Sequence, residues 1–411
     1  MPTIKPFCGI RPNPAHAGKV VLDLENLSLQ EAKLIRQENP YSFVNLLVPK
    51  LDNLFLRGSK NELAFKQINE NFEVFLENGV LVQERESSLY VYQVLKGGTT
   101  QTGIWTVTAV DDYLNNIIKK HELTRPDRET VLADYLQQTG IDANPVLIAY
   151  HTVPQIDHLI EIICNSDPEL SFSKAGALHV LWKTDESFLV KSLVDEFAKL
   201  SSAYIADGHH RAAAASVLAL RQRELNPNYS GSEEYNFFTS VYMASDQLRI
   251  FPFHRLVKDL NGESTSGFLA KLGKYFSVEL SDEKFLPGKL HEFGMYLEGL
   301  WYELKAYSDT YKDGNPLTEL DVSILQDVVF NDILNMPDPR TDPRIGFFGG
   351  IVPLEDIVEQ VDSGNYKVAF TLFPTSIDQL FRVADEGMVM PPKSTWFEPK
   401  FQAGLLIHKI N

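Results

Sequence analysis

The stretch Ser202-Ala203-Tyr204-Ile205-Ala206-Asp207-Gly208-His209-His210-Arg211, followed by AAAASVLALRQR at 212–223, decides the fold class. SAYIA reads as a strand, Asp207-Gly208 as a tight turn and the alanine-rich run as a helix that starts at once. Glycine at 208 lets the backbone turn sharply and come close to a ligand. The unpaired N–H groups of a first helical turn, with the helix dipole, favour an anion there. Arg211 adds a planar fork suited to phosphate oxygens, and His209 and His210 add imidazole donors, so the parts of a phosphate cradle are adjacent. The plainer alternative makes Asp207 an N-cap and the histidines surface or core-edge residues. A metal reading is weaker, because neighbouring helix positions point apart and no His-x-x-x-His or carboxylate partner stands at ligand spacing.

Outward from this stretch, apolar strand-like runs alternate with helices from Pro145: PVLIAY, QIDHLIEIIC, ALHVLWKT, SFLVKSLVDEFAKL, SAYIA. Such alternation argues for a layered α/β (α+β) architecture with a mixed sheet. Earlier, Ser28 with Glu31 forms a capping box for a helix that stops at Asn39-Pro40, 61–78 is amphipathic, and two strands over 89–110 flank Gly97-Gly98 as a hairpin. A helical pattern then resumes up to Lys120. The polar stretch NPNYSGSEE reads as a lobe boundary or a mobile surface loop; taken as the boundary, it predicts an N-terminal α/β lobe over 1–230 and a mixed α/β lobe over 231–411. The second half contains strands FFTSVYMA and LRIFPFHRLV, a hairpin GMYLEGLWYEL, helices near 320–335 and 376–386, and a closing strand GLLIHKI.

The chain has 411 residues, with 55 Asp and Glu against 38 Lys and Arg, a formal net charge of -17. That balance speaks against nucleic-acid coating, which needs a basic face. An anionic ligand therefore requires a local cluster of cations and N–H groups, the bulk field being screened beyond roughly 8 Å in physiological salt. Two cysteines, Cys8 and Cys164, are too few for a disulfide framework and fit a reducing compartment. Residues 1–7 lack an apolar leader core and no run of about 18 apolar residues occurs, which predicts a cytoplasmic protein with no membrane partner.

Two further clusters carry donors. His121-Glu122-Leu123-Thr124-Arg125-Pro126-Asp127-Arg128 stands at a helix start, where capping and ligand contact are both open readings. Met390-Pro391-Pro392-Lys393-Ser394-Thr395-Trp396 sets an ammonium and two hydroxyls on a proline-stiffened loop, where they can meet phosphate oxygens. Asp338-Pro339-Arg340-Thr341-Asp342 is a similar, weaker case.

The segments KPFCGIRPNP, KKHELTRPDRE, YIADGHHRAAAA, FPFHRLV, GMYLEG, LDVSILQ, DPRTDPRIGFFGG, LFPTS and MPPKSTWFEPK occur in the order expected for a widespread bacterial family similar to free-serine kinases, which this chain resembles from about residue 5 onward. The DGHHR turn also looks like the phosphate-binding turn of the ParB and sulfiredoxin superfamily. The resemblance implies a ParB/sulfiredoxin-like core and phosphoryl transfer to the hydroxyl of free L-serine, with pyrophosphate as donor in the closest group. Asp207 through Arg211 match the phosphate-binding motif residue by residue. Many relatives carry Pro-Pro-Tyr-Asp-Val-Ile near the N-terminus; this chain reads Val21-Leu22-Asp23-Leu24-Glu25-Asn26-Leu27, so Glu25 takes the place of their Asp and the rigid frame is lost.

Together these readings predict a small-molecule kinase with pyrophosphate or a nucleotide on the 207–211 loop. Gly208, His209, His210 and Arg211 hold the donor with Ser394 and Thr395; Lys393 and Arg125 neutralise developing charge; Asp207 helps hold Mg²⁺ through water, with no organic cofactor. Glu25 or Glu122 takes the acceptor proton, with Asp207 and His209 also at the chemistry, and Arg11, His121, Arg340 and Thr341 are candidate substrate contacts. A non-catalytic phosphate or nucleotide sensor and a phosphohydrolase are the alternatives.

Overall fold

The computed structural model describes residues 1–24, 27–47, 59–312 and 314–411, with 59–61 by backbone alone. The chain divides into two compact units, one of residues 1–248 with 399–411 and one of 249–398.

The first unit is built on a nine-stranded sheet. Its strands are β1 (Ile4–Lys5), β2 (Leu89–Lys96), β3 (Thr99–Ala109), β4 (Ile118–Lys119), β5 (Val146–Tyr150), β6 (Leu170–Lys174), β7 (Ala177–Thr184), β8 (Ala203–Asp207) and β9 (Phe237–Ala244). They lie in the order β4-β8-β5-β9-β3-β2-β7-β6, with β1 pairing on β3. Only β4 with β8 and β5 with β9 run parallel, so the sheet is mixed and the fold is α+β. Gly97 and Gly98, both at positive φ, close the β2–β3 hairpin, a turn glycine makes without steric cost.

The longer helices are α1 (Leu29–Glu38), α2 (Ser59–Glu77), α3 (Pro126–Thr139), α4 (Pro154–Cys164), α5 (Ser187–Phe197) and α6 (His209–Leu225). Ile156, Ile160 and Ile163 of α4 and Leu189, Leu193 and Phe197 of α5 recur at helical spacing and join Ile148, Ile205 and Tyr242 in the main core. Ala212 to Ala215 are all buried, because methyl side chains let α6 lie close to its neighbours on several sides. Ala214 and Leu218 pack with Ala133 of α3. A second core gathers Ile10, Phe43, Phe72, Ile141, Ala403 and Ile407.

The division differs from the expected boundary at 230/231. FFTSVYMA forms β9, buried along its whole length between β5 and β3, so the polar stretch before it is a connection inside the first unit. The closing strand is shorter than expected: His408–Lys409 pairs with Ile141–Asp142. The helix expected up to Lys120 covers only Val110–Leu114; Asn116 at φ 55 ends it, and β4 follows.

The second unit holds a six-stranded antiparallel sheet in the order Phe276–Ser281, Leu300–Ala306, Glu292–Leu297, Val368–Leu372, Phe253–Val257, Ile345–Gly349. A short pairing of Arg249–Phe251 with Trp396–Glu398 ties its first residues to its last. Among the described residues no helix is long and apolar enough to cross a membrane.

Candidate functional site

The parallel pairing of β4 with β8 sends His121-Glu122 and Gly208-His209 off the same end of the sheet. Antiparallel β5 begins there too, so Asn144 and Pro145 reach the same corner. The register of β8 on β5 slips between Ile205 and Asp207, a bulge of the kind that re-aims side chains at the end of a strand.

Gly208 is the N-cap of α6, with φ 99 and ψ 26, and no side chain caps the helix. Its carbonyl accepts the Arg211 and Ala212 amides at 2.9 and 3.1 Å. The amides of His209 and His210, one step earlier, have no intrahelical acceptor by the geometry of a helix start. Asp207 is thus not the cap; its Oδ2 lies 2.8 Å from Arg211 Nη2 and 3.7 Å from Lys400 Nζ.

Arg211 departs from the role expected of it. Nη1 donates to Asn144 Oδ1 at 2.6 Å and to the Pro145 carbonyl, and Nη2 donates to Asp207. The guanidinium lies over Gly208, where a Cβ would stand 2.8 Å from Nε. It is a strut that fixes the turn to the start of β5. Buried Asp142 also feels it: burial raises that carboxyl to about 6, while His408, the Thr239 amide at 2.7 Å and Arg211 pull the other way.

His209 is a core residue, in line with the plainer reading. It is 3 % exposed, its ring meets His121 edge to face at 4.4 Å, and its Nε2 accepts the His121 backbone N–H at 3.5 Å. The proton therefore sits on Nδ1, 3.6 Å from Glu122 Oε2. Burial, reinforced by neighbouring His121, holds His209 well below the ordinary imidazole value. Burial pushes His121 down to about 4, against a hydrogen bond with the Ile205 backbone, and among the described residues its buried Nδ1 has no hydrogen-bond partner. His210 is half-buried; its Nδ1 accepts the Arg125 amide at 3.4 Å, so its proton is on Nε2. Burial, then Arg128, lowers His210 as well. His210 is thus the imidazole of this turn that keeps a donor for a ligand.

The structure brings Glu122, Asp207, Gly208, His209, His210, Arg211, His121 and Arg125 together. Arg125 is the N-cap of α3 and forks onto Asp127 at 3.1 and 2.8 Å; Thr124 does not cap. Lys400 was missed by the sequence reading, though it closes the MPPKSTWFEPK motif; it is 15 % exposed and reaches Asp207 from the C-terminal segment. Arg11 is held by Glu84 at 2.7 Å and Glu169 at 2.6 Å, with Lys183 2.9 Å from Glu84, a buried charge cluster of its own. Glu25 lies outside the described residues.

The remaining candidates belong to the second unit. Arg340 Nε pairs with Asp338 at 2.9 Å, and the Thr341 hydroxyl donates to the Asp338 carbonyl at 3.3 Å, closing a local turn. Ser394 is buried and its hydroxyl donates to the Pro391 carbonyl at 2.6 Å, so that proton is not offered to a phosphate. Lys393 is exposed and Thr395 half-buried.

For Mg²⁺ the fit is poor. Among the described residues no three His, Cys, Asp or Glu side chains form a group able to hold a metal ion. Asp207, the expected ligand, already has two cations against its carboxylate.

Fold and turn define an α+β protein whose first unit opens a long helix, uncapped, on a glycine. The chain belongs to the family described as "Protein of unknown function (DUF1015)", which it matches over residues 4–323. No curated protein matches it. Among solved structures it is similar to a free serine kinase in complex with AMP, at 14% identity and TM-score 0.38, covering 74% of this chain and 92% of that one. A conserved hypothetical protein from Pyrococcus furiosus gives 14% and 0.37, covering 73% and 95%. SbnI with a C-terminal truncation, from Staphylococcus aureus, gives 11% and 0.37, covering 73% and 85%.

Proposed function

We propose that the Gly208 turn binds the phosphate of a small donor and that the chain is a small-molecule kinase, transferring a phosphoryl group from pyrophosphate or a nucleotide to a hydroxylated acceptor such as L-serine. The observation that carries the reading is the start of α6, where two amides without intrahelical acceptors, His210 Nε2 and the Lys400 ammonium adjoin one left-handed glycine. Such a turn favours an oxyanion through aligned N–H dipoles and a nearby cation. The motif resemblance of Asp207 through Arg211, and with it the ParB/sulfiredoxin-like reading, supports the same assignment. Phosphoryl transfer asks chiefly for positioning and charge neutralisation, which these groups supply. Glu122, at the same end of the sheet, is the candidate for taking the acceptor proton, with Glu25 the other. Mg²⁺, in this reading, belongs with the donor's phosphate oxygens and not to a cage of protein ligands.

One observation favours a non-catalytic sensor: the Arg211 fork faces protein acceptors, which leaves the turn with fewer cations for a developing charge. Calorimetry with pyrophosphate, ADP and ATP, each with Mg²⁺, followed by phosphorus NMR with L-serine, separates the two. A new phosphomonoester signal is expected. Binding without that signal favours the sensor, and free phosphate without phosphoserine favours a phosphohydrolase. Lys400→Met is expected to weaken donor binding about tenfold; unchanged binding in the folded variant removes Lys400 from the site.

A further inference from the structure

Most cations around the Gly208 turn are already engaged by protein groups. Arg211 is held by Asn144, Pro145 and Asp207, Lys400 stands 3.7 Å from Asp207, and Arg125 forks onto Asp127. Arg128 differs from all three. It is exposed, and among the described residues its guanidinium has no ion pair and no hydrogen-bond acceptor.

Arg128 occupies the first turn of α3, three residues beyond the N-cap Arg125, and its amide donates to the Arg125 carbonyl at 3.0 Å. The Arg125 amide in turn donates to His210 Nδ1 at 3.4 Å, which fastens the start of α3 to the first turn of α6. Burial apart, Arg128 is the charged neighbour that acts most strongly on the His210 imidazole, ahead of Glu129, Arg125 and Asp127. Two open donors therefore stand on adjoining helices: a guanidinium that no carboxylate holds, and an imidazole whose Nε2 proton has no acceptor among the described residues.

We infer that Arg128 and His210 Nε2 form a subsite for the second phosphate of the donor, beside the α6 amides and Lys400, and that Arg128 thereby selects a diphosphate over a single phosphate. The inference rests on the kinase reading of the Gly208 turn and deepens it. A planar guanidinium donates to two phosphate oxygens side by side, and a neutral imidazole next to it adds a donor without repelling the cation. Both features suit the crowded oxygens of a P–O–P group. Glu129, half-buried close by, opposes an anion here, which makes the open fork of Arg128 the group that decides.

The test is calorimetry on the full chain with pyrophosphate and, separately, with inorganic phosphate, each with Mg²⁺. Arg128→Gln is expected to weaken pyrophosphate about tenfold and inorganic phosphate by less than about threefold. Its circular dichroism is expected to match the parent, since the side chain is exposed. Lys191→Gln, which removes the same charge from the surface of α5, leaves both titrations as they are in the parent. Unchanged pyrophosphate binding in Arg128→Gln, an equal loss for inorganic phosphate, or the same loss in Lys191→Gln overturns the proposal. Lys400→Met separates it from the reading beneath. If that variant loses pyrophosphate and Arg128→Gln does not, the Gly208 turn stands and the second subsite falls; a parent that binds no pyrophosphate ends both.

Discussion

Asp321 shows how one buried carboxyl sets a pH dependence. It is 4 % exposed; Oδ1 accepts the His291 amide at 2.9 Å, and among the described residues the buried Oδ2 has no hydrogen-bond partner. Burial raises it to about 7, and the Glu292 carboxylate adds to the rise. A folded-state pKa above the unfolded value favours the neutral form in the fold, so the stability it contributes is lost as pH rises through about 7. Asp321→Asn is therefore expected to gain on the parent between about pH 5 and pH 9, by on the order of 1–3 kcal/mol in urea unfolding. A constant difference across that range refutes the assignment. The same scale explains what was hidden in DGHHR. The motif announces two imidazoles and a guanidinium, but their direction depends on distant partners. His121 draws His209 into the core, and Asn144 with Pro145 holds Arg211, from positions sequence spacing does not connect.

Elements were legible wherever a local rule decided them. Ser28 with Glu31 forms the full capping box read for it, and the five runs from PVLIAY to SAYIA form the strands and helices their apolar periodicity places there. The 110–120 segment was misread because apolar spacing continues past Asn115-Asn116, where the backbone enters the left-handed region and the helix stops. The turn before α6 was legible as a turn, and its demand for glycine can be tested. Gly208→Ala forces a Cβ into positive φ and against the Arg211 side chain. It is expected to cost roughly 1–3 kcal/mol and to weaken pyrophosphate binding, read by urea unfolding and calorimetry. A variant as stable as the parent argues against the turn described here.

Across the whole molecule, the mixed α+β class could be read from alternating periodicity, whereas the division into units could not. A polar connection such as NPNYSGSEE looks like a linker until β9, beyond it, is seen hydrogen-bonded on both edges inside the first sheet. The return of 399–411 to the first unit was equally hidden, since it is fixed by Ala403 and Ile407 packing with Phe43 and Phe72, and by the pairing of His408–Lys409 with Ile141–Asp142. Deleting 399–411 removes core side chains, a strand and Lys400 together. The truncated chain is expected to lose the cooperative unfolding of its first unit and its pyrophosphate binding, checked by calorimetry and circular dichroism. An intact first-unit transition in the truncated chain contradicts this packing.

A unit completed by its most distant sequence carries a schedule. Vectorial synthesis on a ribosome delivers residues 249–398 before the segment that seals the first unit. The inserted unit can reach its native pairing, from Arg249–Phe251 to Trp396–Glu398, while the older half of the chain still awaits its last strand. The Gly208 turn thus acquires Lys400 only after the insert has been translated.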